Sequence, residues 1–583
     1  MTLCVPFSAT FMKKILIPFL ITANLAATVF AVDFPMPRSD SRGSSFVNET
    51  VIPPLAAAWS YNTFAAVIAG PVAADNKVFV GNQSGAFYCF DAYTGEVLWQ
   101  YSAGGKIESA ASYSNGVVYF ASRDGYVHAL NADTGEEEWI RNLGTQIISS
   151  PVVYNGRLYI GEGAPSNDLL VLNAETGLPV GSFSTLQPIQ SNPVFGSDRV
   201  FFGSNDGRLY CIYEDTLLQA WFYQTDGFFT RSSPLVYETG VFIAPGHDER
   251  KLYRVHMSNG ITAGSSAELY GSANRMSSPA EYDDVVYVAV STSTAKIFAL
   301  DANDLSNELW NYAVAGTNDG EIVPTPTITR SHLYAPDYDG GIAVLNQSDG
   351  SEVFSASVSD QPIYAQAAVS NGYVYLGLKD GYVKAYKAAQ VVALNSPSNY
   401  KVVTSTGVNV YGTIILDSLI AYTVEYGAGE TPSVWTVQPF IGSNFERSFI
   451  AQLDMSSLDD GVYTVRLKAN NSDSLISESR FILNLPPEPP SNLTLSRVSS
   501  GLNLAWTLSP DDGGGDNDVS AYRIYRSLES GSYSSYIGSV SGGETSYIDT
   551  SLISGVTYYY VVRSYDGFSE SVNSNEGLSL IHI

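Results

Sequence analysis

A chain of 583 residues has room for about four domains at roughly 150 residues each, which points away from one globular unit. Hydrophobic residues at 45%, aromatics at 12% and charged residues at only 15%, with Gly 50 and Tyr 39, favour strands and turns and exclude intrinsic disorder and coiled coil. The net charge of −28 repels phosphate backbones and anionic membrane surfaces, so nucleic acid is not an expected partner. Three cysteines cannot build a disulfide framework, and stability must come from large buried cores.

At the N-terminus, Met12-Lys13-Lys14 is a short basic region, Ile15 to Leu25 is apolar, and Val29-Phe30-Ala31 carries small residues where a signal peptidase reads. Residues 1–31 therefore read as a signal peptide with its true start at Met12, and the mature chain begins at Val32. No Cys follows the cleavage point, and no later segment is long and apolar enough to span a bilayer as a helix. The chain is expected to be exported: secreted, periplasmic or at the cell surface.

Residues 50–390 repeat with a period of about forty. A first short strand is centred on Pro71, Ala111, Pro151, Pro193, Pro234, Pro279, Pro326 and Ala367, and a second follows in each copy, as in Val78-Phe79-Val80 and Val118-Tyr119-Phe120. The turn after the third strand recurs as Asp91 to Gly95, Asn131 to Gly135, Asn173 to Gly177 and Asn346 to Gly350. The outer strand carries Trp99, Trp139, Phe183, Trp221, Trp310 and Phe354, with another copy near Ile261; the eighth copy stands at the front, as Ala56-Ala57-Ala58-Trp59-Ser60-Tyr61. Eight first strands and an outer strand contributed from the N-terminus predict an all-β, eight-bladed propeller closed by pairing its two ends. These units, best from Ala110 to Trp139, resemble the pyrroloquinoline-quinone-like (PQQ-like) propeller repeat, and they also resemble the lipoprotein propeller of outer-membrane protein assembly machinery.

After Ala389 the period stops, and Ser396-Pro397-Ser398 reads as a linker. Residues 396–485 alternate as in Gly461 to Leu467, and with Tyr422 to Gly427 and Trp435 they resemble an immunoglobulin-like β-sandwich. Pro486-Pro487-Glu488-Pro489-Pro490 is a stiff connection. In residues 487–577, Leu502, Leu504, Trp506, Tyr522 and Tyr558 to Val562 resemble a fibronectin type III domain, with Leu552 and Tyr558 at its tyrosine-corner spacing. Gly577 to Ile583 resembles translated adapter sequence, so residues 578–583 read as a non-native tail.

The repeat family includes quinoprotein dehydrogenases, and that resemblance implies a quinone on a Trp platform, Ca²⁺ held by carboxylates, an Asp base and adjacent cysteines. The residues argue otherwise. Trp59, Trp99, Trp139, Trp221 and Trp310 share the outer-strand position, Trp435 and Trp506 fall in the sandwiches, and Cys89 and Cys211 take a small-residue core position three blades apart. The expectation is therefore no PQQ, no Ca²⁺ and no catalysis, with a PQQ-dependent dehydrogenase as the alternative. Asp-Gly pairs at 124–125, 206–207, 339–340 and 380–381 read as hairpin turns with both central residues at positive φ. Asp511, Asp512, Asp516 and Asp518 are a candidate Ca²⁺ cluster, without the terminal Glu of an EF-hand loop. The spacing of His247 and His256 reads as chance.

Three residues before each first-strand centre stand Ile68, Glu108, Ile148, Gln190, Arg231, Met276, Val323 and Tyr364, which should ring one mouth of the central channel. Arg275 joins Arg231 in one sector. Glu108, Gln190, Arg231, Arg275 and Tyr364 are thus the candidate ligand-binding residues, with the paired arginines suited to an acidic group. The expected function is a non-catalytic scaffold that binds a protein or polysaccharide partner, with an outer-membrane assembly factor as a further alternative.

Overall fold

The computed structural model describes residues 33–579, apart from 230–231, 246–250, 270–274, 292–294, 315–323, 338, 398–400, 473–474, 514–517, 554 and 568. The described residues form strands and turns without a helix. No helix long and apolar enough to cross a membrane occurs among them.

Eight consecutive sheets share one plan: a three-residue first strand, a longer second strand, a third and a fourth, all antiparallel. In the second sheet these are Ser112–Ser114, Val117–Ala121, Tyr126–Asn131 and Glu137–Asn142. The second and third strands are almost wholly buried because each sheet packs both faces against neighbours, which explains their unbroken Val, Ile, Phe and Tyr runs. First strands adjoin one another around the ring, and Val72–Ala74 of the first sheet adjoins Ala368–Ser370 of the eighth, which closes it. The eighth sheet takes its outer strand from the N-terminus: Thr50–Asn62 pairs antiparallel with Tyr382–Ser396, placing Trp59 opposite Ala385.

Two local features hold neighbouring sheets together. Each outer strand carries a register shift at the same place, as between Glu137 and Trp139. A bulge bends and re-aims the strand there. The indole N–H groups of Trp59, Trp99, Trp139, Trp221 and Trp310 donate to the carbonyls of Ala92, Ala132, Ala174, Met257 and Gln347 in the following sheet, at 2.8–3.1 Å. The primed turns are not the Asp-Gly pairs. Gly125, Gly207, Gly340 and Gly381 have positive φ while the Asp before each does not; both-positive pairs occur between first and second strands, as in Asn115-Gly116 and Asn155-Gly156. The Asp-Gly loops are longer than two residues, and Gly125 N–H bonds back to the Ser122 carbonyl in an ordinary turn.

The second unit is not joined by a loose linker. The strand Tyr382–Ser396 runs through the eighth sheet and then pairs with Gly407–Ile415, so Val392 and Leu394 are buried in the second unit's core. Its other sheet orders Lys401–Val403, Ile476–Leu483, Gly461–Ala469, Ala421–Ala428 and Thr436–Ile441. Trp435 lies at its surface, with the Arg466 guanidinium carbon 3.8 Å from the ring centroid, rather than in a core. Arg330 bonds Glu478 at 2.6 Å, and the Thr50 hydroxyl bonds the Ile476 carbonyl, fixing this unit against the ring. The third unit packs a three-stranded sheet (Ser491–Val498, Gly501–Thr507, Ser546–Asp549) against a four-stranded one around Leu504, Trp506, Tyr522 and Tyr560.

Candidate functional site

The site is built from the residues just before each first strand. Val67, Ile107, Ile147, Ile189 and Ile363 point into the sheets, where Val67, Ile107 and Ile189 fill notches left by Gly377, Gly81 and Gly161. A Cβ at Gly81 would lie 2.2 Å from Ile107, so glycine is required where the second strand ends. Alternation then turns the next residue of each copy toward the axis. Ile68, Glu108, Ile148, Gln190 and Tyr364 accordingly line one central cavity of about 140 Å³. Of the other expected ring members, Arg231 and Val323 lie outside the described residues, and Met276 is buried. Arg275 sits in the short strand Arg275–Met276, its backbone paired with Ser291; its side chain lies outside the description.

The rim is polar and carries cations. Glu108 accepts hydrogen bonds from Gln83 at 3.1 Å and from Arg123 at 3.4 Å. Lys379 donates to the Tyr364 hydroxyl at 3.1 Å and stands 4.8 Å from that ring's centroid. One layer deeper, the residues before the strand centres form a circumferential chain. Backbone N–H groups of Ala110, Ser150, Asn192 and Ser233 donate to the side chains of Ser150, Asn192, Ser233 and Ser278 at 2.8–3.0 Å.

The opposite mouth is closed by a segment that the period of forty cannot reveal. Residues 34–45 run round the ring, and their carbonyls accept backbone N–H bonds from Ala73, Tyr113, Phe195, Val236, Glu281 and Ile328, the same position of six different first strands. The acceptors are Phe34, Pro35, Ser41, Arg42, Ser44 and Ser45, at 2.6–3.0 Å. Phe46–Val47 then adds a parallel strand to the seventh sheet. Arg38, only 4% exposed and with φ of 66°, belongs to this collar and lines the cavity. Its terminal nitrogens donate to the carbonyls of Ser233, Pro234, Gly43 and Pro279. Burial pushes the guanidinium down to about 9, which leaves it charged at neutral pH. Phe34, Pro37 and Arg38 thus line the cavity from the collar side. The sequence signal is faint: Pro35-Met36-Pro37-Arg38 is a short non-periodic run ahead of the first outer strand, and the signal peptide expected over residues 1–31 lies outside the described residues.

The other candidates do not converge on the cavity. Asp512 accepts from the Tyr522 hydroxyl and the Gly543 N–H, and Asp511 accepts from the Glu488 N–H; these are ties within the third unit and to its connection. Asp516 and His247 lie outside the described residues, Asp518 belongs to the same loop region, and His256 is exposed. Among the described residues no group of three or more His, Cys, Asp or Glu is placed to hold a metal. Cys89 and Cys211 are buried free thiols, and burial pushes the Cys211 thiol up to about 12. No tryptophan lines the channel among the described residues, whose aromatic lining is Phe34 and Tyr364, so the residues present do not fit a quinone on a Trp platform.

A family model described as outer membrane protein assembly factor BamB, built on PQQ-like repeats, matches residues 55–216, 123–267 and 265–398, together more than half of the sequence. The chain belongs to this family. Among solved structures, BamB from Moraxella catarrhalis is 20% identical over 57% of this chain and 100% of its own, with a TM-score of 0.47. Quinohemoprotein alcohol dehydrogenase from Comamonas testosteroni is 14% identical over 64% of this chain and 83% of its own, with a TM-score of 0.51. A second quinohemoprotein alcohol dehydrogenase, from Pseudomonas putida HK5, is 13% identical over 61% and 80%, with a TM-score of 0.52. The dehydrogenase likenesses concern the propeller fold alone. No curated protein matches the chain.

Proposed function

We propose that the chain is an exported, non-catalytic scaffold: an eight-bladed propeller that binds a protein partner through its open channel mouth, carried on an immunoglobulin-like and a fibronectin type III module. The observation that carries this reading is the collar, which bonds six first strands on one side of the cavity. With the collar occupying the far side, the rim around Glu108, Gln190 and Tyr364 is the side of the cavity left for a partner. Loops over such rigid scaffolds are where binding groups concentrate. Arg123 and Lys379 at this rim suit acidic groups on a partner, whether protein or polysaccharide. Membership of the BamB family supports a protein, at the cell envelope. The third unit supports its assignment through its three-plus-four sheet order and through the Tyr558 hydroxyl accepting from the Ile553 N–H.

The rival reading is a quinoprotein dehydrogenase, favoured by the fold likeness and opposed by the tryptophans, five of which are committed to bonds between sheets. The mature chain supplied with pyrroloquinoline quinone and Ca²⁺ should show no dye-linked alcohol oxidation and no stoichiometric quinone spectrum. Turnover would overturn the scaffold reading.

A further inference from the structure

The collar arginine sets up an electrostatic problem that its own bonds do not solve. Arg38 presents five N–H groups. Two bonds from Nη1 and two from Nη2 go to neutral carbonyls, while Nε is buried without a partner. No carboxylate among the described residues forms an ion pair with it; Asp40, whose charge acts on it through space, bonds instead to Ser44 and Arg42. A full positive charge is therefore held in the lining of a polar cavity. In such a low-dielectric site, a charge without a direct ion-pair partner favours binding an anion.

We propose that the channel is a binding site for a small carboxylate, seated over Arg38 and hydrogen-bonded by the layer of Ser150, Asn192, Ser233 and Ser278. The cavity of about 140 Å³ has room for roughly ten waters, which suffices for an acid of two to four carbons. Access runs past Ile148 and Gln190 at the open mouth, and the rim does not oppose it, because the Glu108 carboxylate is already bridged by Arg123 and Gln83. This inference concerns the channel floor and does not depend on the partner proposed for the rim.

The test titrates the mature chain with succinate at low chloride by calorimetry, beside two variants. Ile148→Trp narrows the mouth without touching the collar, and Arg38→Lys keeps the charge but loses the forked geometry. Succinate should bind the wild-type chain with one-to-one stoichiometry, at least tenfold more weakly in I148W at an unchanged melting temperature, and more weakly in R38K. The uncharged analogue succinamide should not compete. Absence of succinate binding, or equal binding by wild type and I148W, would overturn the proposal, as would equal competition by succinamide. If R38K fails to fold, I148W and the analogue still decide the matter.

Discussion

The ring of Trp139 lies directly over Gly177 of the following sheet: a Cβ built on Gly177 would stand 2.6 Å from the indole. The same pairing recurs as Trp59 with Gly95, Trp99 with Gly135, Trp221 with Gly260 and Trp310 with Gly350, each glycine having φ near 70°. Turn and tryptophan are two halves of one contact between sheets, which is why they repeat together along the chain. Gly177→Ala combines a steric clash with an unfavourable left-handed φ and should cost about 2 kcal/mol, whereas Trp139→Phe removes chiefly the bond to the Ala174 carbonyl and should cost about 1 kcal/mol beyond any repacking. Urea denaturation measures both.

The collar should contribute to stability through Arg38. Replacing it with Ala leaves four buried carbonyls without their donors, and a loss of about 3 kcal/mol or more is expected. Limited proteolysis of Arg38→Ala should cut first between residues 34 and 45, ahead of any site within the sheets.

Stability should fall as pH rises from 6.5 to 8. Burial raises the carboxyls of Glu49 and Glu281 to about 8 and that of Glu162, beside Asp168, to about 7. In this window the folded chain still holds protons that the unfolded chain has lost, so the slope of unfolding free energy with pH is negative. His128, pushed down to about 4 by burial, has the opposite sign, but its contribution is complete above its unfolded value near 6.5. Glu49→Gln should flatten the decline, by on the order of 2 kcal/mol at pH 8. Thermal melts at fixed ionic strength provide the readout.

The continuous strand Tyr382–Ser396 makes the ring and second unit one cooperative body. The third unit keeps its own core and meets the second through ties such as Asn484 with Asp566. Calorimetry should show two transitions, the smaller belonging to residues 487–577. Truncation after Ala389 should destabilise the ring, because Val391 of the same strand packs in its core and contacts the Gly372 turn.

Much of this architecture was legible because it repeats. Ile148, Gln190 and Tyr364 could be placed around one channel from spacing alone, since each stands three residues before a strand centre fixed by its neighbours. The collar carries no such signal: Phe34 to Ser45 bond through backbone carbonyls, which any side chain permits, and Arg38 acts from a single unrepeated position. The junction escapes the sequence pattern for a related reason. Ser396-Pro397 looks like a linker in composition, yet the strand before it continues because Val392 and Leu394 have a core to enter. The bulge at each outer strand was also invisible, since one added residue leaves the apolar pattern intact while turning the tryptophan toward the next sheet.

The central claim, that the open channel mouth is the binding face, is tested most directly by site-specific photo-crosslinking in producing cells. The crosslinker is placed at Gln190 or Lys379 on the rim, and at Asn115 on the exposed turn of the opposite face. A common adduct from positions 190 and 379, absent at 115 and lost on charge reversal of Arg123, is the predicted result. Adducts confined to position 115, or none from the rim in cells where the opposite face crosslinks, would contradict it.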